Sequence, residues 1–407
     1  MCVLVCLAGC APSGVGDASG GDPWTPSPDL PADKGDDPTA VPVDGGSRPT
    51  IDDTLGAYPF DVEPAALMSE AAAAPETWVW VDVPGAKCRD GSQASFVTQV
   101  SSRSKDVVIV LSGGGGCFTQ EGCQGTVSNL NVGRAQATDA WLPMDAFERA
   151  DGRPFADRSF VFVPYCTGDL HSGRREGVDE IPCPDPTKPC PGPQDFVGHR
   201  NMELFLHVLG RYFADAQHVT LTGFSAGAYG ALLNYEQTAK AFPAVDVGLI
   251  SDSGPTFSDG GFLSDCGDAK WRSLYGWDDV MPAACTDCAQ PGGLRHLPAY
   301  LSEQYPNATF GMVSPTRDLL IYLFLTSARS SPCTAAPFDT FGLRLGVHRQ
   351  ELEQLGNWST LAVPEKQPDG TENGHVYHHK LDLSADGATV GTWMKQIGDG
   401  TALTAGN

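Results

Sequence analysis

Gly223-Phe224-Ser225-Ala226-Gly227 sets a serine between small residues, directly after the β-rich run HVTLT and directly before a helical pattern that starts at Gly227. A strand–turn–helix of this kind forces the serine into a strained conformation and lifts its hydroxyl above the sheet, the setting of a nucleophile elbow. An ordinary glycine-rich βα turn can share these letters; the strand before and the helix after favour the nucleophile. A serine hydroxyl attacks poorly at neutral pH, so it needs a base within hydrogen-bond reach and donors for the oxyanion that develops on a substrate carbonyl.

Both have candidates. Gly113-Gly114-Gly115-Gly116-Cys117 follows the strand-like DVVIVLS, and a run of glycines leaves backbone N–H groups unobstructed. It lacks the Lys-Ser/Thr ending of a phosphate-binding loop and the GxGxxG spacing with a following helix, so an oxyanion hole is expected. In elbow-type hydrolases the acid and histidine follow the serine in chain order, and five histidines do so here. His375, at the turn opening VYHHKLDL, is the expected base, with His378 and His379 as alternatives. His296 and His348 lie apart from that terminal strand pattern. Asp318, between TFGMVSP and LLIYLFL, is the expected acid; Asp252 in Ser251-Asp252-Ser253-Gly254-Pro255 is the alternative, because strand-end acids also cap helices or close turns.

The elements that must carry these residues alternate between short β-branched or aromatic runs and helical patterns. TWVWVDV (77–83) and ASFVTQV (94–100) read as an opening antiparallel pair. DVVIVLS, SFVFVPY, HVTLTGF, VDVGLISD and TFGMVS read as buried strands, and the runs from Asn201 and Gly227 as helices. This is an α/β class, with a mostly parallel central sheet flanked by helices. Residues 255–308, rich in Gly, Asp and Cys, are expected to form a lid-like insertion.

The chain has 407 residues, of which 41% are hydrophobic, enough for a large core, and its formal charge of −24 repels nucleic acid and anionic lipid. No apolar run reaches the roughly 18 residues of a membrane span. MCVLVCLAG before Cys10 has export-signal composition, and Leu7-Ala8-Gly9-Cys10 resembles a lipobox, in which Cys10 would be lipidated. Residues 1–10 are therefore expected to be a signal segment, 11–55 an acidic Pro/Gly-rich tether, and 56–407 the folded domain. Of 13 cysteines, the ten from Cys88 onward predict five disulfides in an oxidising compartment. Cys183 and Cys190 sit in one Pro-rich loop that they could close. Cys285-Thr286-Asp287-Cys288 reads as structural bonding rather than a zinc site, since no second ligand pair completes one.

With these residues in view, the chain resembles the pectin acetylesterase and Notum-like carboxylesterase family, and its bacterial branch through Tyr165-Cys166-Thr167-Gly168-Asp169-Leu170-His171. The similar blocks are ETWVWVDVPGAKCRDGS, LSGGGGCF, VPYCTGDLHSG, the segment from Val197 through GFSAGAYGALLNYE, SDSGPTF, SPTRDLLIYL and GHVYHH. The resemblance implies an α/β-hydrolase fold, with Ser225 as nucleophile, Asp318 as acid, His375 as base, and Gly115, Gly116 and Ala226 as oxyanion donors. The family commonly has Trp where this chain has Gly116, which removes an aromatic wall and bears on acyl specificity. Asp169 and His171 either shape the pocket or hold a structural loop. The expected function is hydrolysis of an acyl ester through an acyl-serine, with O-acetyl groups on a polysaccharide such as pectin as substrate and no metal or cofactor. Alternatives are a longer acyl ester, an amide, or an inactive ligand-binding lipoprotein. A monomer in the cell envelope, lipid-anchored at Cys10 or secreted, is expected, with the anchor as its one contact with a membrane.

Overall fold

The computed structural model describes residues 49–124, 129, 131–134, 144–328, 334–366 and 374–401. Cys10, the expected signal segment and most of the expected tether lie outside these residues. Eight strands form one sheet: β1 (Val79–Lys87), β2 (Gln93–Gln99), β3 (Val107–Leu111), β4 (Ser159–Val163), β5 (Val219–Phe224), β6 (Val247–Asp252), β7 (Phe310–Pro315) and β8 (Trp358–Val363). Their spatial order is β1-β2-β4-β3-β5-β6-β7-β8. β1 and β2 pair antiparallel, as does β2 with β4. The six strands from β4 to β8 in that order run parallel.

Sequence and burial agree strand by strand. β3 reads VVIVL and is buried at every position, because helices cover both faces of a parallel sheet and leave no side for polar residues. β1 instead alternates, with Val79, Val81 and Val83 buried and Trp80 and Asp82 turned outward, the pattern of an edge strand with one wet face. Helix α1 (Gly198–Tyr212) buries Met202, Phe205, Leu206 and Leu209 at helical spacing and packs on β1. Helix α2 (Ala226–Leu233) is buried at all eight positions, lying against β3, β5 and β6. The others that matter here are α3 (Asp265–Tyr275), α4 (Leu319–Ser327), α5 (Phe341–Gln354) and α6 (Val390–Gly398), which packs on β6 and β7. Among the described residues no helix is long and apolar enough to cross a membrane.

Two expectations need correction. VYHHKLDL is not a strand but a run of turns, and the last strand of the sheet is Trp358–Val363. Its backbone cannot join a ladder, because the N–H groups of Tyr377 and His378 are taken by the Asp252 carboxylate and that of Val376 by the Ser253 hydroxyl. Nor do all ten cysteines pair. Cys88–Cys166, Cys117–Cys123 and Cys285–Cys288 are bridged and Cys266 is also disulfide-bonded, but Cys183 and Cys190 are free thiols. The Pro-rich loop is closed by other means: the Gln120 amide donates to the carbonyls of Asp185 and Lys188 and accepts from Asp185 N–H.

Three histidines buried in the scaffold set an acid limit on the fold. Burial lowers His171 and His348 to about 4, and burial together with nearby Arg174 lowers His199 to about 3. In the unfolded chain each protonates near ~6.5, so below that pH the unfolded state binds more protons and stability falls as pH falls. The thermal midpoint is expected to decline progressively from about pH 6.5 to 4, followed by circular dichroism. His348→Gln should flatten that decline. An unchanged slope in the variant would contradict a buried neutral imidazole at 348.

Candidate active site

β5 ends at Phe224 and α2 begins at Ala226, leaving Ser225 between them at φ 56° and ψ −122°. A non-glycine residue there costs on the order of 1–3 kcal/mol and persists only where the surroundings over-determine it. They do so by close approach. A Cβ at Gly227 would lie 2.1 Å from the Leu111 carbonyl oxygen, and one at Gly223 would lie 2.1 Å from the Gly227 carbonyl oxygen. The Ser225 N–H donates to the Asp252 carbonyl at 2.8 Å, which ties the elbow to β6. Ala226, as the first residue of α2, has an N–H with no acceptor inside the helix.

His375 and Asp318 meet as their positions in the chain suggested. His375 Nδ1 lies 2.7 Å from Asp318 Oδ2, with Asp318 buried at the carboxyl end of β7. The carboxylate can only accept, so Nδ1 carries the hydrogen and Nε2 is left as the acceptor. Asp318 also caps a helix: Oδ1 accepts from the Ile321 N–H at 3.0 Å, at the start of α4. Helix capping and imidazole orientation are thus not rival roles here, because one oxygen serves each. Ser225 and His375 line the same cavity of about 430 Å³, together with Gly114, Gly115 and Gly116. Among the described residues the N–H groups of these three glycines have no acceptor, which leaves them to face a ligand oxygen.

The alternative acid and base form a second pair. His378 Nδ1 is 2.6 Å from Asp252 Oδ2, and both side chains are fully buried. The same oxygen accepts from the N–H groups of Tyr377 (2.7 Å) and His378 (2.9 Å), while Ser253 Oγ donates to Oδ1. Burial pushes the Asp252 carboxyl up, but these hydrogen bonds outweigh it and hold it below the usual carboxylate range. His378 Nε2 faces Thr222 Oγ1 at 3.0 Å inside the sheet rather than the cavity. Asp252 therefore fastens the turn that carries His375, and the same residue's carbonyl holds Ser225. His379 does not line the cavity; its ring lies near Phe224. His296 ends a 3₁₀ turn, and His348 faces Thr256 at 3.3 Å.

Asp169 and His171 are buried below the glycine run and do not line the cavity. Asp169 accepts from Thr167 Oγ1 and from the N–H groups of Gly173 and Gly198. No residue of 255–308 lines the cavity either. Its walls come from Phe118, Thr119, Glu121 and Gly122 after the glycine run and from Leu320, Ile321, Leu323, Phe324 and Ser327 of α4. The sequence shows the apolar run LLIYLFL after Asp318 but not that it forms a wall. The available signal was its all-round apolar composition, which leaves Leu319, Leu320 and Leu323 more than half exposed. Among the described residues no group of three or more His, Cys, Asp or Glu is placed to hold a metal ion.

The chain is similar to known proteins over much of its folded part. Residues 68–310 match the family model described as Pectinacetylesterase. Palmitoleoyl-protein carboxylesterase NOTUM of Homo sapiens is 26% identical over 226 residues, covering 50% of this chain and 43% of the relative. Pectin acetylesterase 11 of Arabidopsis thaliana is 25% identical over 258 residues, covering 60% of this chain and 63% of the relative. The chain thus spans less than half the length of the NOTUM relative. The crystal structure of the Wnt deacylase Notum from Drosophila superposes with a TM-score of 0.53 at 17% identity, covering 80% of this chain and 94% of that one. At that identity the likeness shows the fold alone, an α/β-hydrolase.

Proposed function

This chain belongs to the pectinacetylesterase family, and we propose that it is a serine carboxylesterase working through Ser225, His375 and Asp318. The observation that carries the proposal is the strained Ser225 sharing one cavity with an imidazole whose Nδ1 is held by a buried carboxylate. His375 Nε2 takes the proton as Ser225 Oγ attacks the ester carbonyl, then gives it to the departing alcohol. Water, deprotonated by the same nitrogen, cleaves the acyl-serine and releases the acid. Gly115, Gly116 and Ala226 N–H groups receive the oxyanion in both halves.

The walls favour an acyl group larger than acetyl. Phe118, Leu320, Ile321, Leu323 and Phe324 give the cavity an apolar side that an acetyl group leaves uncovered. Gly116 adds to the room, since a Cβ there would meet the Phe118 ring at 3.0 Å and the Phe324 ring at 3.3 Å. Each buried methylene contributes about 0.8 kcal/mol. Across nitrophenyl esters, kcat/KM is then expected to rise by up to about four-fold per carbon from acetate until the cavity is filled. Gly116→Ala should cut octanoate turnover several-fold more than acetate turnover. O-acetyl groups on pectin are the second reading, favoured by the larger share of both chains in the match to pectin acetylesterase 11. A rate that peaks at acetate, with acetylated pectin hydrolysed faster than any longer ester, would decide for it.

A further inference from the structure

Resting on the reading of Gly115 and Gly116 as oxyanion donors, we propose that Tyr165 is a positioning residue, which aims the Gly116 N–H into the cavity by holding the Gly115 carbonyl. Tyr165 follows β4 and is fully buried. Its hydroxyl accepts from the Leu170 N–H at 2.7 Å and donates to the Gly115 carbonyl at 3.1 Å. A phenol has one hydrogen to give, and with Leu170 supplying the hydrogen on one side, that hydrogen is committed to Gly115.

The peptide unit transmits the constraint. In a planar trans peptide the carbonyl and the following N–H point in opposite directions. Tying the Gly115 carbonyl to the buried scaffold therefore turns the Gly116 N–H away from it, toward the cavity that Gly116 lines with Ser225 and His375. Glycines do not hold such an orientation by themselves. Gly114 at φ 154° and Gly115 at φ 70° adopt conformations whose freedom is expensive to freeze. The bond from Tyr165 is the one hydrogen bond that Gly115 makes to another described residue. Beside it, His171 Nε2 donates to the Ser112 carbonyl at 2.9 Å, with its ring 4.6 Å from that of Tyr165, so the strand end leading into the glycines is held from the same side. The donors are then aimed before substrate arrives, which is what makes them effective in the transition state.

Tyr165→Phe keeps the ring and removes the hydrogen. Loss of an oxyanion donor costs about 10²–10³ in kcat, and a donor misaimed rather than lost should cost about 10- to 100-fold. We expect kcat and kcat/KM to fall together, with KM and the pH profile unchanged, and affinity for an alkyl boronic acid, which forms a tetrahedral serine adduct, to fall by the same factor. A residue with a merely structural role lowers the melting temperature without moving boronate affinity. Folded Tyr165→Phe with wild-type turnover and boronate binding would overturn the proposal. Should that variant fail to fold, 4-aminophenylalanine at 165, which still donates, is expected to stay within a few-fold of wild type, and 4-fluorophenylalanine, which does not, to fall. Equal activity of the two overturns it likewise. Ser225→Ala is run in parallel: if it remains active the serine reading fails, whereas inactive Ser225→Ala with unimpaired Tyr165→Phe removes this proposal alone.

Discussion

Ser225→Ala is expected to lower kcat by up to about 10⁶-fold, the scale seen when a triad loses its nucleophile. The other hydroxyls lining the cavity, those of Thr119 and Ser327, do not sit at the elbow between β5 and α2. The Ser225 hydroxyl sits at a backbone corner sustained by the close approach of β5, α2 and β3, and His375 shares its cavity. The oxyanion donors survive the substitution, so residual hydrolysis of about 10³–10⁴ over water should remain. The folded protein should remain as stable as wild type or gain slightly, since alanine at φ 56° loses no hydrogen bond made by the serine side chain to a described residue. A fluorophosphonate probe should label wild type and not the variant. A variant retaining a tenth of wild-type turnover would remove Ser225 from the chemistry.

Asp318→Asn is expected to lower kcat by about 10⁴-fold with little loss of stability. The carboxamide can still accept the Ile321 N–H and cap α4, but it offers His375 Nδ1 either an N–H or a neutral oxygen. The first flips the imidazole to the wrong tautomer, and both remove the charge that stabilises imidazolium. Asp252→Asn separates the two buried acids. Asp252 holds four hydrogen bonds through its carboxylate, from Tyr377 and His378 backbones, the His378 ring and Ser253. Replacing it should therefore cost stability foremost, on the order of 1–3 kcal/mol for buried hydrogen bonds lost or weakened, with a smaller loss of kcat through the displaced turn. Thermal melts and kinetics on both variants check this. If Asp252→Asn loses 10⁴-fold in kcat while Asp318→Asn stays active, the acid has been misassigned.

Much of this was legible in the sequence because it is written in short local patterns. VVIVL and SFVFV are buried on both faces and show it as unbroken apolar runs, and the elbow announces itself by glycines at 223 and 227 that the backbone requires. Asp318 and His375 were singled out by chain order after the serine, and the structure brings their side chains together although the strand expected after His375 does not form. The strand that does not form is lost to a distant polar group. VYHHKLDL has strand composition, but a carboxylate more than a hundred residues earlier takes its N–H groups, and no periodicity encodes that. Cys183 and Cys190 are close in sequence, yet the loop between them is held by Gln120. The cavity walls were invisible for a different reason: an apolar helix looks the same whether its leucines face a core or a substrate.

The central claim is that an acyl group passes through Ser225. Rapid-quench mass spectrometry during turnover of a slowly deacylating ester tests it most directly. The acyl mass should appear on the peptide containing Ser225 within the first turnover, accumulate in a burst and decay as the acid is released. An acyl adduct on any other residue, or full turnover with Ser225 unmodified at every time point, would contradict it.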